Sequence, residues 1–75
     1  MKAIVLVQEC EHTGDLERSI RNVQRLGVKV LSSWLVSEDE EYECGRLMVE
    51  ASSVELLRRA CQEDGFCSIE ETIEG

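Results

Sequence analysis

Hydrophobic and polar positions along the chain switch between strand-like and helix-like spacing in the order β-α-β-β-α-β. The apolar run at residues 2–8 (KAIVLVQ) is typical of a central strand whose two faces are both covered. Between residues 15 and 26, apolar side chains recur every three or four positions, which predicts an amphipathic helix that ends at Gly27. The apolar positions of this helix are Leu16, Ile20, Val23 and Leu26.

The middle of the chain predicts a hairpin. Residues 28–36 are β-branched and aromatic, as in a strand, and residues 37–41 (SEDEE) are polar, as in a turn. Residues 42–51 then alternate, which predicts a second strand with one apolar face. Leu47, Val49 and Ala51 share that face, and Cys44, Arg46, Met48 and Glu50 share the other.

A second helix and a last strand complete the pattern. Ser52 and Glu55 have the spacing of a capping box, with Ser52 as the N-cap and Glu55 at N3, and Gly65 is expected to end the helix after Asp64. Residues 66–73 then predict a strand. Its apolar face is expected to carry Cys67, Ile69 and Ile73.

This element order predicts a ferredoxin-like α+β fold in one domain that spans residues 1–75. Right-handed crossovers place both helices on one face of a four-stranded antiparallel sheet with strand order 4-1-3-2. The other face has no helix and is expected to expose Met48. Either Ile4 and Leu6, or the set Ala3, Val5 and Val7, is expected to join it there. Because exposed apolar faces favour self-association, we expect a homodimer.

The charge balance limits the range of partners. Sixteen Asp and Glu residues against eight Lys and Arg give a formal net charge of -8. This charge argues against nucleic acids and anionic membrane surfaces as partners. No apolar segment approaches the ~20 residues of a membrane span, and the first strand does not resemble a signal peptide. We therefore expect a cytoplasmic protein with reduced cysteines.

The predicted topology collects sulfur and imidazole side chains at one end of the sheet. The loop after the first strand, the hairpin, the end of the second helix and the start of the last strand should meet there. A soft metal site would use Cys10, His12, Cys44 and Cys67 as ligands, with the surrounding acidic residues attracting the cation. The alternative is that Cys61 and Cys67 act as small core residues, since the chain lacks a C-x-x-C pair.

Catalytic chemistry has little support in the sequence. Cys10 and His12 on an extended segment would point the same way and could form a thiolate–imidazolium pair. No third group that would orient His12 is identifiable, so we predict no catalytic residue. The sequence favours a function without enzymatic activity.

Four segments in this order resemble an ACT domain over nearly the whole chain. They are residues 13–16 (TGDL), 27–30 (GVKV), 46–50 (RLMVE) and 64–66 (DGF). ACT domains are regulatory modules that dimerise and bind amino acids or similar effectors. The effector usually sits where the first loop and the start of the first helix meet a partner subunit. The resemblance places that site on Glu11, His12, Thr13, Gly14, Asp15 and Leu16.

A looser similarity connects the chain to small ferredoxin-like proteins that include nickel binders. The nickel binders depend on several histidines, whereas this chain has only His12, so their metal chemistry does not carry over. Two functional hypotheses therefore remain. The first is a homodimeric module that binds or senses an amino-acid-like effector, and the alternative is a cation or thiol-metal binding protein. No cofactor is identified beyond the metal of that alternative.

Overall fold

The computed structural model describes residues 1–8, 14–35 and 45–74, without the side chains of Leu35 and Glu74. Its strands pair in the order β2-β3-β1-β4, and every neighbouring pair is antiparallel. This is the expected order 4-1-3-2 read from the other edge, so the ferredoxin-like α+β fold is confirmed. The elements are β1 (Lys2–Val7), α1 (Asp15–Arg25), β2 (Lys29–Leu35), β3 (Gly45–Glu50), α2 (Val54–Asp64) and β4 (Cys67–Glu74).

The core lies between one face of the sheet and the two helices. Alternate residues of β1 and β3 are buried there, as their period-two pattern requires. The strands supply Ala3, Val5, Val7, Leu47 and Val49, and the helices supply Val23, Leu57, Ala60 and Cys61. Because successive side chains of a strand alternate between its faces, Ile4 lies on the helix-free face, beside Met48, its register partner in β3. The pair Ile4 and Leu6 is therefore the one that shares this face with Met48.

Helix α1 ends as its sequence predicts, but α2 begins one residue later than expected. Gly27 follows α1 with a φ of 100°, the left-handed conformation that a glycine tolerates. The N-cap of α2 is Ser53, whose Oγ accepts a hydrogen bond from the Leu56 amide at 3.1 Å. The predicted capping box is wrong because Ala51, bound to Met1 by backbone hydrogen bonds at both its amide and its carbonyl, still continues the sheet.

The two helices have the same length. Each has eleven residues, and neither described helix is long and apolar enough to cross a bilayer. Helix α2 ends at Asp64, and Gly65 follows with a φ of 84°, as predicted. This left-handed residue turns the chain directly into β4.

Both edge strands are irregular. In β2 the register shifts between Val30 and Ser32, and the extra residue is Leu31, which is 42% exposed. In β4 two shifts separate Ile69, the partner of Val5, from the end of the strand. Each extra residue moves the side chains that follow it to the opposite face of the sheet. The prediction that Ile73 shares the apolar face is wrong for this reason: Cys67 and Ile69 pack on the core, but Ile73 is 46% exposed.

The helix-free face is apolar at its centre and carries one ion pair. Ile4, Leu6 and Met48 are half-buried, and Trp34 on β2 is exposed. Arg46 on β3 reaches across β1 and donates from Nε to both carboxylate oxygens of Glu70 on β4, at 3.0 and 2.8 Å. This pair spans β1 on the helix-free face.

A buried carboxylate connects the two helices. Asp64 accepts hydrogen bonds from Ser19 Oγ at 2.9 Å, Asn22 Nδ2 at 2.8 Å and the Phe66 amide at 3.2 Å. Ser19 lies on α1 and is 1% exposed, so water cannot replace its partner. The last residue of α2 thus holds α1 and the turn into β4 at the same time.

Replacing Asp64 with alanine should cost about 2–3 kcal/mol of unfolding free energy, because the buried Ser19 hydroxyl loses its charged acceptor. Glu63→Ala removes an exposed carboxylate from the preceding position and should change stability by less than about 0.5 kcal/mol. Urea denaturation followed by circular dichroism measures both values. Equal losses for the two variants would show that the Asp64 hydrogen bonds do not stabilise the fold.

Candidate functional site

The register brings four strand ends together at what we term the upper end of the sheet, the row formed by Leu35, Gly45, Val7 and Cys67. Val7 at the end of β1 pairs with Gly45 at the start of β3 and with Cys67 at the start of β4. Gly45 also pairs with Leu35 at the end of β2. The segments 9–13 and 36–44 attach at this end.

The predicted site residues divide between the described and undescribed parts of the chain. Gly14, Asp15, Leu16 and Cys67 are described. The other predicted ligand-binding and metal-binding residues, Cys10, Glu11, His12, Thr13 and Cys44, lie outside the described residues. Their roles stay predictions.

Helix α1 begins on a glycine that leaves its first turn accessible. Gly14 is the N-cap, with φ 99° and ψ -6°, and it supplies no side-chain acceptor to the first amides of the helix. A Cβ built on Gly14 would have no described heavy atom within 4 Å outside its chain neighbours. The first amides of a helix lack intrahelical partners and carry partial positive charge. This end of α1 therefore suits an anionic group.

The negative charge at the start of α1 is balanced by a cation from the next turn. Asp15 has a side chain only 12% exposed and lies 3.3 Å from the guanidinium of Arg18. The same guanidinium lies 5.2 Å from the centre of the Phe66 ring, within the range of a cation–π contact. Arg18 thus connects the start of α1 to the residue that precedes β4.

Close packing fixes the position of this helix start against the sheet. A Cβ on Gly45 would come within 2.9 Å of both Leu16 methyl carbons and within 2.8 Å of the Trp34 carbonyl oxygen. Only glycine permits Leu16 to lie this near to the β2–β3 pair. Gly45 was not among the predicted site residues. Its place just before an alternating strand is a signal of close backbone approach that could have identified it.

Cys67 lies beside Cys61 at the edge of this end of the molecule. The two thiols hydrogen-bond to each other, which lowers the pKa of Cys61 and, with burial, raises the pKa of Cys67. Both line a groove of about 580 Å³ between α2 and β4. Within residues 1–8, 14–35 and 45–74, no three His, Cys, Asp or Glu side chains are grouped as metal ligands would be.

Comparison with known proteins identifies the fold but supplies no close relative. No protein-family model matches the sequence, and no curated protein matches it. Among solved structures, an ACT domain protein from Streptococcus pneumoniae superposes with a TM-score of 0.68 at 18% sequence identity. The match covers 95% of this chain and 89% of that protein. This chain therefore has the fold of an ACT domain.

Proposed function

We propose that this protein is a homodimeric, non-enzymatic module that binds or senses an amino-acid-like small molecule at the start of α1. The observation that carries the proposal is the glycine N-cap of α1 at the upper end of a sheet with the ACT-domain fold. The proposed site is the segment Glu11, His12, Thr13, Gly14, Asp15 and Leu16, as the sequence resemblance implies.

The chemistry of the helix start fits a zwitterion. A carboxylate of the effector would accept hydrogen bonds from the first amides of α1, where the N-cap glycine contributes no competing acceptor. Asp15 supplies negative charge for the effector's ammonium group. Its pairing with Arg18 reduces the repulsion that the effector's carboxylate would otherwise meet.

The packing around Gly45 supports binding by holding the helix start in one position. Leu16 sits against Gly45 too closely for any side chain to intervene. A helix start that is fixed before the ligand arrives loses little entropy on binding. The upper end therefore offers a preorganised amide cluster rather than a mobile one.

The helix-free face of the sheet supports self-association. Ile4, Leu6 and Met48 form its centre, and Trp34 lies 39% exposed beside them. A second copy of the chain would cover these apolar side chains. The charges of Arg46 and Glu70 in the same surface are paired, so burying them costs less free energy than burying either charge alone.

The ligand proposal predicts that an amino acid raises the melting temperature and that Gly14→Ala weakens its binding about tenfold or more, a loss of ~1.4 kcal/mol. The added methyl would occupy the approach to the first amides. Gly27→Ala is the matched control, because its φ of 100° equals that of Gly14 within a degree and it lies at the other end of α1. Both variants should lose about 1–2 kcal/mol of stability from left-handed strain.

Thermal shift against the common amino acids identifies the ligand, and isothermal titration measures its affinity for each variant. Analogues that lack the carboxylate or the amine test the two charge contacts separately. The site assignment fails if Gly27→Ala weakens binding as much as Gly14→Ala does. The functional proposal fails if no amino acid or analogue stabilises the intact protein.

The dimer proposal predicts that Met48→Lys raises the dimer dissociation constant about tenfold or more, because it places a charge in the centre of an apolar contact. Met48 lies on an inner strand, so the substitution does not touch a sheet edge. Phe66→Lys is the control, since Phe66 is an exposed apolar residue (38%) in the turn between α2 and β4. Sedimentation equilibrium measures both constants, and a monomeric wild-type protein would refute the proposal.

A further inference from the structure

Two cysteines meet where α2 turns into β4. Cys61 lies in the last turn of α2, and its carbonyl oxygen accepts a hydrogen bond from the Gly65 amide at 2.9 Å. Gly65 has a φ of 84° and reverses the chain, so that Cys67 opens β4 beside the helix it has just left. Cys61 and Cys67 then line the same groove between α2 and β4. The turn at Gly65 therefore brings both cysteines to one groove.

The pair lies at the margin of the core, where both residues also line a groove. The groove, between α2 and β4, has a volume of about 580 Å³ and includes both cysteines in its lining. Cys61 is 6% exposed and Cys67 is half-buried. The polar part of the lining consists of Arg58, Gln62, Ser68 and Thr72. A small molecule in the groove would therefore lie against both sulfurs and near a guanidinium.

We propose that Cys61 and Cys67 form a redox-active dithiol that reduces small, carboxylate-bearing disulfides bound in the groove between α2 and β4. The groove lining shares no residue with the proposed effector site, and the proposal does not depend on the effector-binding function. It needs only the two sulfurs, the groove and the cation at its wall.

The hydrogen bond assigns different roles to the two sulfurs. The contact with Cys67 lowers the pKa of the Cys61 thiol and thereby favours its thiolate. The same contact and burial raise the pKa of Cys67, which stays protonated. Cys61 is therefore the attacking nucleophile, and Cys67 is the thiol that completes the reaction.

The reaction proceeds in two exchanges. The Cys61 thiolate attacks one sulfur of the small disulfide, whose S–S bond breaks; the released thiolate takes a proton from solvent, and a mixed disulfide remains on Cys61. Cys67 loses its proton to solvent and attacks the Cys61 sulfur, which releases the second small thiol. The small disulfide gains two electrons and becomes two thiols, while the protein dithiol becomes one disulfide.

Arg58 explains the preference for an anionic disulfide. The chain has a net charge of -8, which would keep carboxylate-bearing molecules away from most of its surface. Arg58 places a cation in the groove wall. Carboxylate–guanidinium pairing would hold the substrate where its sulfurs reach Cys61.

Tryptic mapping of the full chain tests the proposal directly, because the chain has no Lys or Arg after Arg59. Cys61 and Cys67 therefore fall in one peptide, residues 60–75, whereas Cys10 and Cys44 fall in two others. The protein is equilibrated in glutathione buffers of graded potential, alkylated and digested. We expect peptide 60–75 to lose two hydrogens as the buffer becomes more oxidising, with both of its thiols protected from alkylation.

Single variants separate the two roles. Cys67→Ser should accumulate a mixed disulfide with glutathione on Cys61, and Cys61→Ser should react with glutathione disulfide about tenfold or more slowly than wild type. Arg58→Gln should slow reaction with glutathione disulfide several-fold but leave reaction with neutral 2-hydroxyethyl disulfide unchanged. Arg59→Gln, outside this groove, is the control of equal charge change.

Several results would overturn the proposal. If peptide 60–75 keeps both thiols reduced in every buffer, Cys61 and Cys67 do not form a disulfide and the proposal fails. This measurement uses the wild-type protein, so it does not depend on any variant folding. Disulfides from Cys61 or Cys67 to Cys10 or Cys44 would show a different pairing. Equal rate losses in Arg58→Gln and Arg59→Gln would show that the groove does not select the substrate.

Discussion

The pairing of strand β1 with its two neighbours is the interaction on which the rest of the structure depends. Both β1 and β3 have a partner on each side, but within the described residues only β1 is apolar at five successive positions, residues 3–7. Its hydrogen bonds to β3 and β4 fix the register of both, and its alternation sends Ala3, Val5 and Val7 into the core. Since a one-residue slip of β3 would turn Arg46 and Glu50 toward the core, the pairing of β1 with β3 admits one register. That pairing also determines which residues lie opposite one another at the upper end of the sheet, where β1 ends.

The architecture was predicted correctly from the sequence at positions where local chemistry alone favours one type of residue. Gly27 and Gly65 end their helices because left-handed backbone favours glycine, and the alternation in residues 45–50 determines the faces of β3. These features depend on local chemistry. They can be read along the chain without knowing what lies opposite.

The features that the sequence did not reveal depend on partners distant in the chain. Asp64 was predicted only as the residue before the glycine that ends α2, but its three hydrogen-bond donors include Ser19, forty-five positions away. Gly45 is required by Leu16, which comes from the first helix. Ile73 lies on the opposite face from the one predicted because the register of β4 against β1 shifts by one residue just after Ile69, and nothing in an alternating pattern specifies a bulge. Glu11, His12 and Thr13, half of the proposed ligand-binding site, lie outside the described residues.

The irregular edges of the sheet have a consequence for assembly. Both outermost strands, β2 and β4, carry an extra residue that interrupts the even spacing of backbone donors and acceptors along them. A strand from another molecule needs that even spacing in order to extend a sheet. The bulges therefore discourage open-ended fibre growth at the margins and leave face-to-face contact as the route to a finite complex.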